Sequence, residues 1–96
     1  MKVNCEYGGG CDLLFGTKQE TYELPSSSTA WTVGELLLWL AEKHLKTTQE
    51  NFLQGDSVRP GILVMINEMD WELLDTTNYV LKENDTVIFF STLHGG

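Results

Sequence analysis

One segment limits the fold more than any other: Thr32-Val33-Gly34-Glu35 followed by Leu36, Leu37, Leu40, Ala41 and Leu45. Thr32 with Glu35 three residues on is a capping box, in which each side chain satisfies a backbone N–H of the other. The apolar residues then recur at three and four, so a helix over about Val33 to Leu45 is expected, buried along one stripe. Leu38 and Trp39 fall outside the strict stripe, and Trp39 either widens the buried face or marks a contact. Lys43, His44 and Lys46 suit the negative end of the helix dipole, and His44 reads as a solvated partner of it. No other stretch has this periodicity, so a single helix must be matched by strands.

Strand signals surround it. Val3, Cys5 and Tyr7 alternate with polar residues, as in a half-buried strand. Gly8-Gly9-Gly10 breaks that run and reads as a loose hairpin turn. Leu13-Leu14-Phe15 with Thr21-Tyr22-Glu23-Leu24 reads as a second strand interrupted near Gly16. Lys46 to Gln54 is polar except for Phe52-Leu53, which is expected to anchor a loop. Pro60 biases Arg59 to an extended conformation just before Ile62-Leu63-Val64-Met65-Ile66, a central strand apolar on both faces. Asn67 to Asp70 reads as a turn and Trp71-Glu72-Leu73-Leu74 as a short strand. Lys82 to Asp85 turns into a last strand, Val87-Ile88-Phe89-Phe90. One helix covers one face of a sheet. Both apolar strands carry large residues at alternating parity, so the other face is either roofed by a loop or left as an apolar patch. Which residues point outward is not legible, because a one-residue slip exchanges the faces.

Ninety-six residues give one domain that can bury a core without staples. Fourteen acidic residues against six basic ones give a net charge of −8, which opposes direct contact with nucleic acid or an anionic membrane and favours basic protein partners. Nothing approaches a membrane-spanning apolar run, and Met1 to Glu6 lacks the apolar core of a signal peptide, so a cytoplasmic location is expected, with the nucleus also open. Cys5 and Cys11 are expected as free thiols there, with Cys5 in a buried apolar role. There is no C-x-x-C and the two histidines are far apart, so no metal site is expected. No Ser-His-Asp, reactive Cys or paired-carboxylate arrangement is present, so no catalytic residue is assigned and the chain is not read as an enzyme.

The remaining feature is the end of the chain, Ser91-Thr92-Leu93-His94-Gly95-Gly96. Six extended residues reach roughly 20 Å. Glycine has no Cβ to hinder approach, and the α-carboxyl of Gly96 is an anion at neutral pH. The organisation expected is a domain over 1–90 and a flexible Gly-Gly tail over 91–96, with Gly96 as the functional group.

Strand pair, helix, long connector, strand, short elements and a last strand running into Gly-Gly resemble the β-grasp, or ubiquitin-like, fold. The chain is more closely similar to the eukaryotic ubiquitin-related modifier family, the sulfur-carrier members of that superfamily. The similarity rests on Leu13-Leu14-Phe15, the run from Gln54 to Val64, Ile66-Asn67, Asp70 to Leu74 and Ser91 to Gly96. It implies an α+β fold, with a mixed sheet of four to five strands packed on one main helix. It also implies a carrier that binds no cofactor itself. An activating enzyme of the ubiquitin-activating type uses ATP to adenylate Gly96, and a rhodanese-type sulfurtransferase converts the adenylate to a thiocarboxylate. The sulfur passes to a tRNA thiolation enzyme complex for 2-thiolation of wobble uridine in cytosolic tRNAs, or the activated end is joined to lysines of target proteins by an isopeptide bond. Gly95, His94 and Leu93 would serve tail recognition, Leu93 as a docking contact. Two other readings stand beside it: a non-covalent β-grasp interaction module with an inert tail, and a molybdopterin-synthase-type small subunit.

Overall fold

The computed structural model describes residues 1–92. Its elements are β1 (Lys2–Gly8), α1 (Cys11–Phe15), β2 (Gln19–Glu23), α2 (Val33–Lys43), β3 (Leu53–Gln54), β4 (Ser57–Val58), β5 (Ile62–Ile66), β6 (Met69–Asp70) and β7 (Asp85–Ser91), with 3-10 turns at Gln49–Asn51, Trp71–Leu73 and Thr76–Asn78. Five strands form one mixed sheet in the order β2-β1-β7-β5-β6, with β1 and β7 parallel and every other neighbouring pair antiparallel. β3 and β4 make a separate two-stranded ribbon. This is the α+β, β-grasp arrangement expected from the sequence. Among the described residues no helix is long and apolar enough to cross a membrane.

α2 begins as the capping box requires. Thr32 Oγ1 accepts from the Glu35 amide at 3.2 Å, and Glu35 Oε1 accepts from the Thr32 amide at 3.1 Å. Such a cap stabilises a helix by about 1 kcal/mol. Val33, Leu36, Leu37, Leu40 and Ala41 are buried against the sheet. They meet Val3, Cys5 and Tyr7 of β1, Val64 and Ile66 of β5, and Val87 and Phe89 of β7 in one core. The helix closes at Lys43, earlier than expected, where the His44 and Leu45 amides both reach back to Leu40 O and end the regular ladder. Phe52 anchors its loop as expected: it is fully buried, edge-on to Phe15 at 4.9 Å and to Phe89 at 5.4 Å between ring centroids.

Two segments differ from expectation. Leu13-Leu14-Phe15 is not strand but the end of α1, a single turn bracketed by Gly10 and Gly16, both with positive φ. Cys11 and Phe15, four apart, are buried, while Leu13 is 80% exposed. The i, i+4 pair is the helical signal, hidden by adjacent leucines that mimic a strand. β1 and β2 are antiparallel neighbours, but α1 sits in the link that read as a loose hairpin turn. Trp71-Glu72-Leu73-Leu74 is likewise a 3-10 turn, because the Asp70 carboxylate accepts from the Glu72 amide at 2.9 Å and curls the chain. The turn before it is confined to Asn67 and Glu68, both at positive φ. That is the geometry of a tight hairpin matching sheet twist, and it leaves Met69–Asp70 as the edge strand β6.

His44 is half-buried, not a solvated dipole partner. Its ring lies 4.5 Å from Tyr22 and 4.8 Å from Trp39, and Trp39 meets Tyr22 and Trp31 edge-on. Trp39 thus widens the buried face onto β2. Burial lowers the His44 pKa below its usual value, and Lys46 adds to this while Glu20 opposes it. A histidine that resists protonation when folded binds protons more readily unfolded, so stability rises with pH across its titration. Its contribution is complete above the unfolded value of about 6.5 and is lost as pH falls through the folded value. We expect the urea midpoint to fall between pH 7.5 and 5.5, and His44→Gln to flatten that slope. An unchanged slope in the variant would assign the pH dependence to other groups.

Asp85, expected only as part of a turn, is a buried carboxylate. It accepts from Asn67 Nδ2 at 2.8 Å, from the Tyr79 hydroxyl at 2.9 Å and from the Lys82 amide at 2.9 Å. It therefore ties the β5–β6 turn and the segment leading into β7 to the first residue of the last strand.

Candidate functional site: the end of β7 and the outer sheet face

Gly96, Gly95, His94 and Leu93, the residues singled out for chemistry and tail recognition, lie outside the described residues. What the structure does describe is their root. β7 runs as far as Ser91, and Thr92 still bonds to the sheet: its amide and its Oγ1 both donate to Gly61 O, each at 2.8 Å. Four residues follow Thr92, and chain geometry limits Gly96 to about 14 Å from it.

On its other side, the root rests on the glycine loop. A Cβ on Gly8 would come within 2.9 Å of Phe90 Cδ2, and one on Gly9 would collide with the Ser91 carbonyl oxygen. Gly9 also has φ +61, which favours glycine. Gly8 and Gly9 thus serve as the seat of the last strand. Gly9→Ala is expected to destabilise the fold by about 2 kcal/mol or more, combining strain with a backbone clash. A chemical denaturation midpoint equal to that of the parent would show that the loop yields freely.

Cys11 and Cys5 are both buried and both free thiols. Burial, aided by the neighbouring Asp12 charge, pushes the Cys11 thiol up to about 11, opposed by a hydrogen bond with the Ser91 backbone. Burial pushes Cys5 up to about 12 against a hydrogen bond with Tyr7. At neutral pH such thiols are neither thiolates nor accessible, so they pack rather than react.

The structure also decides which residues face outward. Leu63 pairs with Phe90, and Met65 with Ile88, across β5 and β7. These four form the outer face there, Leu63 54% and Phe90 43% exposed, Met65 and Ile88 half-buried. No loop roofs them. The neighbouring outer positions on β1 and β2 are Lys2, Asn4, Glu6, Gln19, Thr21 and Glu23, all polar. The outer face is therefore split, and its apolar half is the half next to the strand that ends at Ser91. A shallow cleft of about 370 Å³ lined by Glu6, Asn67, Glu68, Thr86 and Ile88 borders that half with two carboxylates. Among the described residues no cluster of three or more His, Cys, Asp or Glu side chains could hold a metal ion.

An apolar strip left open by the described residues, beside the root of the tail, suits a docking surface. The sequence matches the family described as Urm1 (Ubiquitin related modifier) over residues 2–96. It is 50% identical to human ubiquitin-related modifier 1, covering all of this chain and 96% of that one, and 50% identical to the homologue from Bombyx mori over the same shares. Among solved structures, Urm1 from Trypanosoma brucei superimposes with a TM-score of 0.80 at 33% identity, over 99% of this chain and 95% of that chain. A putative molybdopterin converting factor subunit 1 from Pyrococcus furiosus shares the fold, with a TM-score of 0.71 at 20% identity. With the family match running the length of the chain, this protein belongs to the Urm1 family of ubiquitin-related modifiers.

Proposed function

We propose that this protein carries sulfur on its C-terminus and also modifies other proteins through it. An oxygen of the Gly96 carboxylate attacks the α-phosphorus of ATP in an activating enzyme, and pyrophosphate leaves. The carboxylate itself is a poor acyl donor because its leaving group would be oxide; AMP is a good one. A persulfide on a rhodanese-type sulfurtransferase attacks the acyl carbon and expels AMP. A thiol then cleaves the S–S bond, leaving the thiocarboxylate and an enzyme disulfide. The thiocarboxylate is the softer and stronger nucleophile, suited to 2-thiolation of wobble uridine in cytosolic tRNAs by a tRNA thiolation complex. An activated Gly96 attacked by a lysine amine instead yields an isopeptide bond to a target protein. Every catalytic group in this scheme belongs to a partner, and this chain binds no cofactor. The reactions take place in the cytoplasm, with the nucleus also open.

The observation that carries this reading is the anchoring of the tail's root at Thr92. Gly96 stands four residues beyond Thr92, and Thr92 is fastened at the border of the apolar strip formed by Leu63, Met65, Ile88 and Phe90. We assign that strip to docking of the activating enzyme, with Glu6 and Glu68 facing basic residues at its rim. Leu93, His94 and Gly95 then thread the narrow approach to ATP.

The test is intact-mass measurement after incubation with the activating enzyme, ATP and a sulfur donor. One oxygen exchanged for sulfur in the C-terminal peptide is the expected result; an unaltered mass with an enzyme active on a family relative overturns the reading. A non-covalent module using the same apolar strip would instead bind its partner unchanged after loss of Gly95 and Gly96.

A further inference from the structure

The root of the tail is held from two sides. On the β5 side, both hydrogens that Thr92 can donate converge on one acceptor, Gly61 O, at 2.8 Å each, using both lone pairs of that carbonyl. On the α1 side, Gly9 gives the Ser91 carbonyl room that any side chain would fill, and the Ser91 backbone hydrogen-bonds Cys11. Thr92 is itself exposed, so burial does not require its hydroxyl there. The amide bond alone would continue the β5–β7 ladder by one residue. The hydroxyl bond is additional, and it fastens the Thr92 side chain to the start of β5 as well.

We infer that Thr92 is a positioning residue for activation of the C-terminus: its hydroxyl, bound to Gly61 O, holds the root of the tail in place while the partner's active site takes up Gly96. The inference rests on the reading of Gly96 given above. Its physical basis is geometric. A tether free from Ser91 onward would have a mobile root, whereas one clamped through Thr92 starts from a fixed point beside Leu63 and Phe90. Orientation of this kind raises the fraction of docked complexes whose carboxylate meets ATP, without adding any contact to the docked state. The rate within the complex should therefore depend on Thr92, and the concentration needed to form the complex should not.

The experiment compares the parent with Thr92→Val and Thr92→Ser. Valine keeps the β-branch and the amide bond but loses the hydroxyl; serine keeps the hydroxyl and loses the branch. Single-turnover thiocarboxylate formation is followed against activating-enzyme concentration, at a temperature where circular dichroism shows every variant folded. Thr92→Val is expected to lower the saturating rate about tenfold while the half-saturating concentration stays within about twofold, and Thr92→Ser is expected to restore most of the rate. A Val variant as fast as the parent overturns the inference, as does a Ser variant as slow as Val, which would make the methyl group the active element. A change confined to the half-saturating concentration also overturns it, since it would make Thr92 a docking contact. If the parent itself gains no sulfur, the reading of Gly96 fails, and the variants are then compared by the melting temperature alone, where equal values exclude any orienting bond worth detecting.

Discussion

Deleting Gly96 is expected to reduce thiocarboxylate formation more than a thousandfold while leaving the melting temperature within about 1 °C of the parent. The shortened chain still ends in a glycine carboxylate, so what is lost is position and not the functional group. One residue moves the acyl carbon back by about 3.5 Å. A misplacement of about 1 Å can already cost roughly a hundredfold in a positioned reaction. The clamp at Thr92 makes this loss hard to recover, because the tail cannot borrow length from β7 without breaking two hydrogen bonds to Gly61 and withdrawing Ser91 from its seat. Stability should be untouched because the core is complete before the tail begins. The measurement is sulfur incorporation by mass together with a thermal melt. Substantial thiolation of the shortened chain would show that the activating enzyme does not read tail length.

Phe52→Ala should have the largest effect on folding, about 3–5 kcal/mol. Phe52 belongs to the connector between α2 and β5 yet is fully buried, touching Phe15 of α1 and Phe89 of β7 edge-on. Phe89 in turn stacks on Tyr7 at 5.7 Å and Tyr7 on Phe15 at 4.4 Å, so truncation opens a cavity beside three packed aromatics that cannot close by moving one side chain. Against a total stability of about 5–15 kcal/mol for a domain of this kind, such a loss corresponds to a drop in melting temperature of roughly 15–30 °C. A drop under about 5 °C would mean that the loop carrying Phe52 collapses inward and refills the space. Because α1 and the glycine loop also seat Ser91, the variant should show impaired activation even at temperatures where it remains mostly folded.

How much of this was open to reading depended on whether a feature was local. The capping box at Thr32 and Glu35, the buried stripe of α2, the anchoring role of Phe52 and the turn at Asn84 rest on spacings of a few residues, and the structure has them. α1 was missed because five residues make too short a window for periodicity, and Leu13-Leu14 beside Phe15 gives the same hydrophobic run as a strand. Trp71 to Leu74 was misread because an Asp70 side chain, not the propensity of the segment, curls the chain. His44 was misplaced because the ring that covers it, Tyr22, comes from β2, far off in sequence, while Trp39 comes from the preceding part of the helix. Asp85 gave no signal at all: its three donors arrive from positions 67, 79 and 82, and only folding brings them to one carboxylate.

The sequence by itself determined the family and the capped main helix among strands, because these are properties of residue type and short-range order. Only the tertiary structure decided that Leu63, Met65, Ile88 and Phe90 face outward as one strip, and that Thr92 is bound to a carbonyl thirty-one residues away. Strand register settles both. A period of two leaves either face equally available to an apolar run, and the choice is made by which side chains fit beneath α2.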